Sequence, residues 1–224
     1  MFTVRLVHRS ATISLDALTG FSKALHQYVN TALERTWGIN AAVYAATSDT
    51  VWSDQDFRVV VYDVPEDATQ SQVMGQHLWR GHGQPEGYVF AKMCELWGTQ
   101  WDEILSHEVI EMLVDPWLTR YAKRDEDFWP VEVCDPVQGS FVTVWGYRMA
   151  NFVTPSYYRD GSVGPFDAMS KLSEPFSVAD GGFGQVYRNG SLVPLYGGKS
   201  PAQTLPQNAA RWSRATSRRN VCVA

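Results

Sequence analysis

Residues 99–116, TQWDEILSHEVIEMLVDP, constrain this chain more than any other run. Apolar residues at Trp101, Ile104, Leu105, Val109, Ile110, Met112 and Leu113 recur at helical spacing and predict an α-helix. Thr99, with Asp102 three residues on, predicts its N-terminal cap, and Pro116 its stop. Apolar side chains occupy so much of the circumference that the helix is expected to pack on more than one side. Yet Glu103, His107, Glu111 and Asp115 follow one another at intervals of four and stack along one face, with Glu108 beside them. Carboxylates gathered round an imidazole inside a core are costly unless paired, protonated or bound to a cation. His107 and Glu111, one turn apart, can reach one metal ion, and Glu108 is then placed as a general base. A solvated acidic face carrying an ordinary His is the competing reading.

A metal site needs a third protein ligand. Glu132 lies 21 residues after Glu111, and Asp135 three further on, in the apolar run WPVEVCDP. Either carboxylate can serve. Cys134 between them is a further ligand or a small buried residue. Asp115 is a further ligand or the acceptor that closes the helix before Pro116. His77 and His82 sit in the turn-rich residues 65–87 and read as ordinary surface histidines.

The rest of the chain supplies the scaffold. Residues 2–8 alternate as a strand, and Ser14 opens a long helix whose apolar stripe runs from Leu15 through Leu18, Phe21, Leu25, Tyr28 and Val29 to Leu33, ending near Gly38. Residues 39–46 and 57–64 read as two more strands, and 87–92 as a short one before the key helix. This β–α–β–β order suggests an α/β or α+β sheet layered on a helix. The charged stretch 119–127 reads as a solvated loop, 141–153 as a hairpin turning at Gly146, and 155–198 as loop-rich, with Gly181, Gly182 and Gly184 making a turn. From Lys199 on the chain carries basic residues and no acidic one, which predicts a domain over 1–198 and a basic, weakly ordered tail over 199–224.

A net charge of -5 argues against general nucleic-acid binding. No apolar run approaches the roughly 20 residues that cross a bilayer, and the first residues lack a signal-peptide pattern, so a soluble cytoplasmic or virion-associated protein is expected. Cys94, Cys134 and Cys222 are too few and too far apart for a disulfide framework.

HEVIE followed by EVCDP resembles the gluzincin metallopeptidases, where a helix supplies two metal ligands and a Glu about twenty residues later the third. The longer order, with VVVYDV, GYVFAK, SHEVIEMLVDP, EVCDP and WGYRMANFVTPSYY, resembles a zincin-like (HExxE…ExxD), metallopeptidase-like family of bacterial and phage proteins. Their signatures run SHELxEMLADP, YEVCDxxE and GYxVSDFVxPAWF. More distantly it is similar to the plant phosphate-induced, EXORDIUM-like proteins. The resemblance covers residues 20–190. It implies an α+β zincin-like fold: a twisted mixed sheet with an antiparallel edge strand, packed on the long N-terminal helix and the HExxE helix. Residues 87–92 would be that edge strand, taking extended substrate by strand addition. His107 and Glu111 would be metal ligands and Glu108 the base. Glu132 would be the third ligand and Asp135 its support, or the two exchanged. Tyr157 or Tyr158 would stabilise an oxyanion.

Zinc is the metal the resemblance implies. Glu111, standing where such peptidases carry a second His, makes the set harder and more anionic, which admits calcium or manganese. Two functions follow as expectations. One is a metal-dependent hydrolase acting on peptides or proteins. The other is an inactive zincin-fold structural protein, such as a phage virion or tail component, with assembly partners engaged through 199–224. Neither calls for nucleic acid or membrane.

Overall fold

The computed structural model of the protein describes residues 1–47, 53, 55–66, 73–79, 81 and 83–198. The expected tail, His82 and Cys222 lie outside the described residues. Alternating apolar residues make β1 (Phe2–His8), which buries Val4 and Leu6 completely. Ser14 caps the helix it was expected to open, its Oγ accepting from the Ala17 N–H at 3.1 Å. That helix, α1 (Leu15–Tyr28), runs on through a wider π turn (Val29–Leu33) and a last turn, α2 (Glu34–Trp37). Gly38, at φ 69°, ends it in the left-handed conformation that glycine adopts without strain. Leu18, Phe21, Leu25 and Leu33 form the buried stripe.

Strands β2 (Ala41–Ala46), β3 (Phe57–Tyr62), β4 (Gly75–Leu78) and β5 (Glu86–Phe90) complete a five-stranded sheet in the order β2-β1-β3-β5-β4. All neighbours are parallel except β4 and β5, which are antiparallel. The antiparallel edge strand therefore exists, but it is not residues 87–92. Strand β5 lies inside the sheet, between β3 and β4, and the chain turns into α3 (Ala91–Leu96) directly after Phe90. The edge is β4, four residues whose strand character comes from pairing with β5 rather than from any local apolar run.

The key helix is α4 (Trp101–Val114), and its residues 102–114 are all buried. Gln100, not Thr99, stands at its N-cap position and makes no side-chain cap bond. Asp102 instead ties α4 to its neighbours, accepting from the Glu103 N–H and from the Arg148 N–H, each at 2.9 Å. Ser106 Oγ accepts from the Ala150 N–H at 2.9 Å. Both of these distant partners belong to β9 (Tyr147–Ala150), which forms with β8 (Phe141–Val144) the hairpin expected around Gly146. Helix α1 meets α4 where the Phe21 and Trp101 rings stand 5.2 Å apart. Thus α4 is enclosed by the sheet edge, the hairpin and α1, which explains its apolar circumference.

A second sheet, in the order β11-β10-β7-β6, was not expected. It comprises β6 (Tyr121–Arg124), β7 (Asp127–Pro130), β10 (Phe183–Arg188) and β11 (Ser191–Tyr196). The stretch 119–127 is therefore not a loop throughout, and 155–198 ends in a hairpin. That hairpin turns on Asn189-Gly190, both at positive φ (50° and 75°), a strong two-residue turn signal that its loop-like surroundings obscured. The architecture is α+β. No helix among the described residues is long and apolar enough to cross a membrane.

Candidate metal centre

Helix α4 holds His107, Glu108 and Glu111 on the side facing β4 and the segment after β7. That segment brings Glu132 and Cys134, and a 3-10 turn (Asp135–Val137) brings Asp135. Glu111 Oε2 and Asp135 Oδ1 converge on His107 Nε2, at 3.2 and 3.3 Å. Two ligands on one tetrahedral ion, each bound at 2.0–2.1 Å, lie about 3.3 Å apart. A charge-assisted N–H···O⁻ bond is shorter, about 2.7–2.9 Å. The spacing round His107 is close to that between two ligands of one ion. His107, Glu111 and Cys134 also offer donor atoms within 4.8 Å of one another.

Glu111 is oriented from behind. Its Oε1 accepts the Cys134 N–H at 3.1 Å, while the Cys134 thiol lies 3.8 Å from the His107 carbonyl oxygen. This hydrogen bond leaves Oε2 aimed into the centre. Cys94 and Cys134 are both buried free thiols.

The residue that sequence reasoning missed is His77. It is not a surface histidine in a loop: it lies in β4 and is 1% exposed. Its Nδ1 stands 3.4 Å from Glu108 Oε2 and 3.8 Å from Glu111 Oε2, and its Nε2 stands 3.9 Å from Glu132 Oε2. Burial alone would push the His77 pKa down; the hydrogen bond to Glu108 and the charges of Glu132 and Glu111 outweigh it and raise the pKa. No local signal could have found it: Val73, Gly75 and His77 are buried at alternate positions, but Met74 between them is buried as well and Gly75 and His77 are not apolar. Gly75 permits the approach. A Cβ there would stand 2.7 Å from Ile104 Cγ2 and 2.9 Å from Glu108 Oε1, so only glycine lets β4 lie this close to α4.

The other candidates take different places. Glu132 and Asp135, adjacent in sequence, face different imidazoles: Glu132 faces His77, and Asp135 faces His107. Glu103 lies 3.6 Å from Arg148, and burial keeps its pKa raised in spite of that partner. Asp115 closes the helix end, accepting the N–H groups of Thr119 and Arg120 at 3.0 and 3.1 Å. The Tyr157 hydroxyl donates to the Ser177 carbonyl oxygen at 2.9 Å, and that of Tyr158 to the Glu132 carbonyl oxygen at 3.1 Å. Burial pushes both phenols well above their ordinary pKa. Tyr158 thereby braces the segment that carries Glu132, and Tyr157 the segment that carries Ser177. A small surface depression is bordered by Trp129, Glu132, Asp135, Tyr157, Tyr158 and Gln185.

No family model matches the chain, and neither curated proteins nor solved structures give a match.

Proposed function

We propose that the protein is a metal-dependent hydrolase of the zincin type, acting on peptide bonds, with His107, Glu111 and Asp135 holding the metal. The observation that carries this reading is the convergence of Glu111 Oε2 and Asp135 Oδ1 on His107 Nε2, at 3.2 and 3.3 Å. The zincin type is supported by an antiparallel edge strand beside the metal helix. At the sheet's border, β4 occupies the position from which an extended peptide can be added as a further strand.

When bound there, zinc, or manganese or calcium in so carboxylate-rich a set, lowers the pKa of a coordinated water and polarises a carbonyl. The chain's own residues do the rest. Glu108, adjoining the ligands on the same helix and wholly buried, takes the proton from the attacking water. Glu111 is kept in orientation by the Cys134 N–H. Tyr158 holds the backbone at Glu132 through its hydroxyl.

Zinc retained by Glu108→Gln together with loss of peptide-library hydrolysis is the expected outcome. Full hydrolysis by that variant refutes the proposal. One observation favours a second reading, a catalytically silent scaffold in a larger particle such as a virion: Glu108 and Glu111 are 0% exposed. Structural metal sites are closed, whereas catalytic ones keep an open position. Metal bound in the wild type without hydrolysis of any peptide would select that reading.

A further inference from the structure

We propose that the same pocket holds a second divalent cation, bound by His77, Glu108 and Glu111, so that the centre is binuclear with Glu111 shared. The inference rests on the reading of α4 as a metal-binding helix, not on hydrolysis. His77 Nδ1, Glu108 and Glu111 offer donor atoms all within 4.8 Å of one another, a set distinct from that around His107 and joined to it through Glu111. Within it, His77 Nδ1 stands 3.4 Å from Glu108 Oε2, close to the roughly 3.3 Å between ligands of one ion, and 3.8 Å from Glu111 Oε2. The Glu111 carboxylate, pinned at Oε1 by the Cys134 N–H, has Oε2 between the two imidazoles, 3.2 Å from His107 and 3.8 Å from His77. A carboxylate so placed bridges two ions about 3.5–4 Å apart.

An independent observation comes from the far side of His77. Its Nε2 is buried with no hydrogen-bond partner among the described residues and points at Glu132 Oε2, 3.9 Å away. Ligation through Nδ1 fixes the proton on Nε2, and a movement of about 1 Å then gives the carboxylate–histidine–metal arrangement common around metal-bound imidazoles. Charge agrees. Two divalent ions balance the carboxylates of Glu108, Glu111, Glu132 and Asp135 with both imidazoles neutral, as ligands must be. A carboxylate bound through one oxygen keeps lone pairs on the other, so Glu108 can hold this ion through Oε2 and still accept a proton at Oε1. So many oxygen donors suit manganese(II) or iron(II) as well as zinc.

The test loads the stripped full-length protein with manganese(II) and reads stoichiometry together with the electron paramagnetic resonance spectrum. The wild type is expected to bind two ions per chain with an exchange-coupled signal. His77→Ala, shown folded by circular dichroism, is expected to bind one with an uncoupled six-line signal, and His107→Ala likewise. Glu108→Gln keeps the shape of the side chain and carries the same expectation should His77→Ala not fold. Two ions in a folded His77→Ala, or in Glu108→Gln where His77→Ala does not fold, overturn the proposal. A single ion in the wild type that His107→Ala removes and His77→Ala keeps also overturns it, and leaves the hydrolase reading standing. No ion in the wild type overturns both.

Discussion

The close passage of β4 over α4 makes Gly75→Ala a sharp perturbation of both fold and site. The added methyl would stand 2.7 Å from Ile104 Cγ2, 2.9 Å from Glu108 Oε1 and 3.0 Å from Glu108 Cγ. Comfortable carbon–carbon contact is about 3.5–4.0 Å, so strand and helix must part by about 0.8 Å or the side chains must leave their positions. Overpacking of this kind costs about 1–3 kcal/mol. Replacing glycine in a strand returns about 0.5–1 kcal/mol of backbone entropy. The difference of the two midpoints is an expected net loss of about 1 kcal/mol. Equilibrium urea unfolding in chelator, which separates folding from metal binding, should show a lower midpoint with an unchanged slope. The same displacement moves Glu108 relative to His77, and metal titration should show affinity falling on the order of tenfold, the lower end of what is lost when the support of a ligand is disturbed. A Gly75→Ala protein with unchanged midpoint and unchanged affinity would refute the packing of β4 on α4 argued above.

Two further expectations concern carboxylates outside the centre. Asp115→Ala removes the acceptor of the Thr119 and Arg120 N–H groups and should cost about 3 kcal/mol or more in urea unfolding, by the loss of two hydrogen bonds to a charged group, with metal stoichiometry unchanged; loss of metal would instead make Asp115 a ligand. Asp63 accepts from Ser10 Oγ and from the N–H groups of Ala11 and Thr12, and although partial burial opposes the charge these bonds lower its pKa to about 2. A carboxyl depressed below its unfolded value of 3.8 stabilises above that value and loses its contribution as pH falls toward 2. Asp63→Asn should therefore destabilise by about 1 kcal/mol at pH 7, after allowance for solvent screening, and by about half of that at pH 3. An equal difference at both pH values would remove the electrostatic explanation.

What could be read without the structure was whatever repeats over a few residues. The 3.6-residue period of α4 stacks His107 and Glu111 on one face however the chain folds around them, and Ser14, Gly38 and Gly146 mark ends and turns by local backbone chemistry. Those elements narrowed the class to α/β or α+β. Elements stabilised by distant partners were not legible. Strand β4 is four residues long and exists because β5 pairs with it, so neither the edge of the sheet nor His77's place beside Glu108 had a local signature. The charged β6 and the β10–β11 hairpin were hidden in the same way. Glu132 and Asp135 are three residues apart and looked interchangeable. The 3-10 turn at Asp135 sends one carboxylate to His107 and leaves the other facing His77. The sequence by itself determined a helix that places His107 and Glu111 one turn apart on one face. Only the tertiary structure decided which further side chains meet it, because those contacts depend on pairing between segments up to 55 residues apart, His77 to Glu132, which no local periodicity encodes.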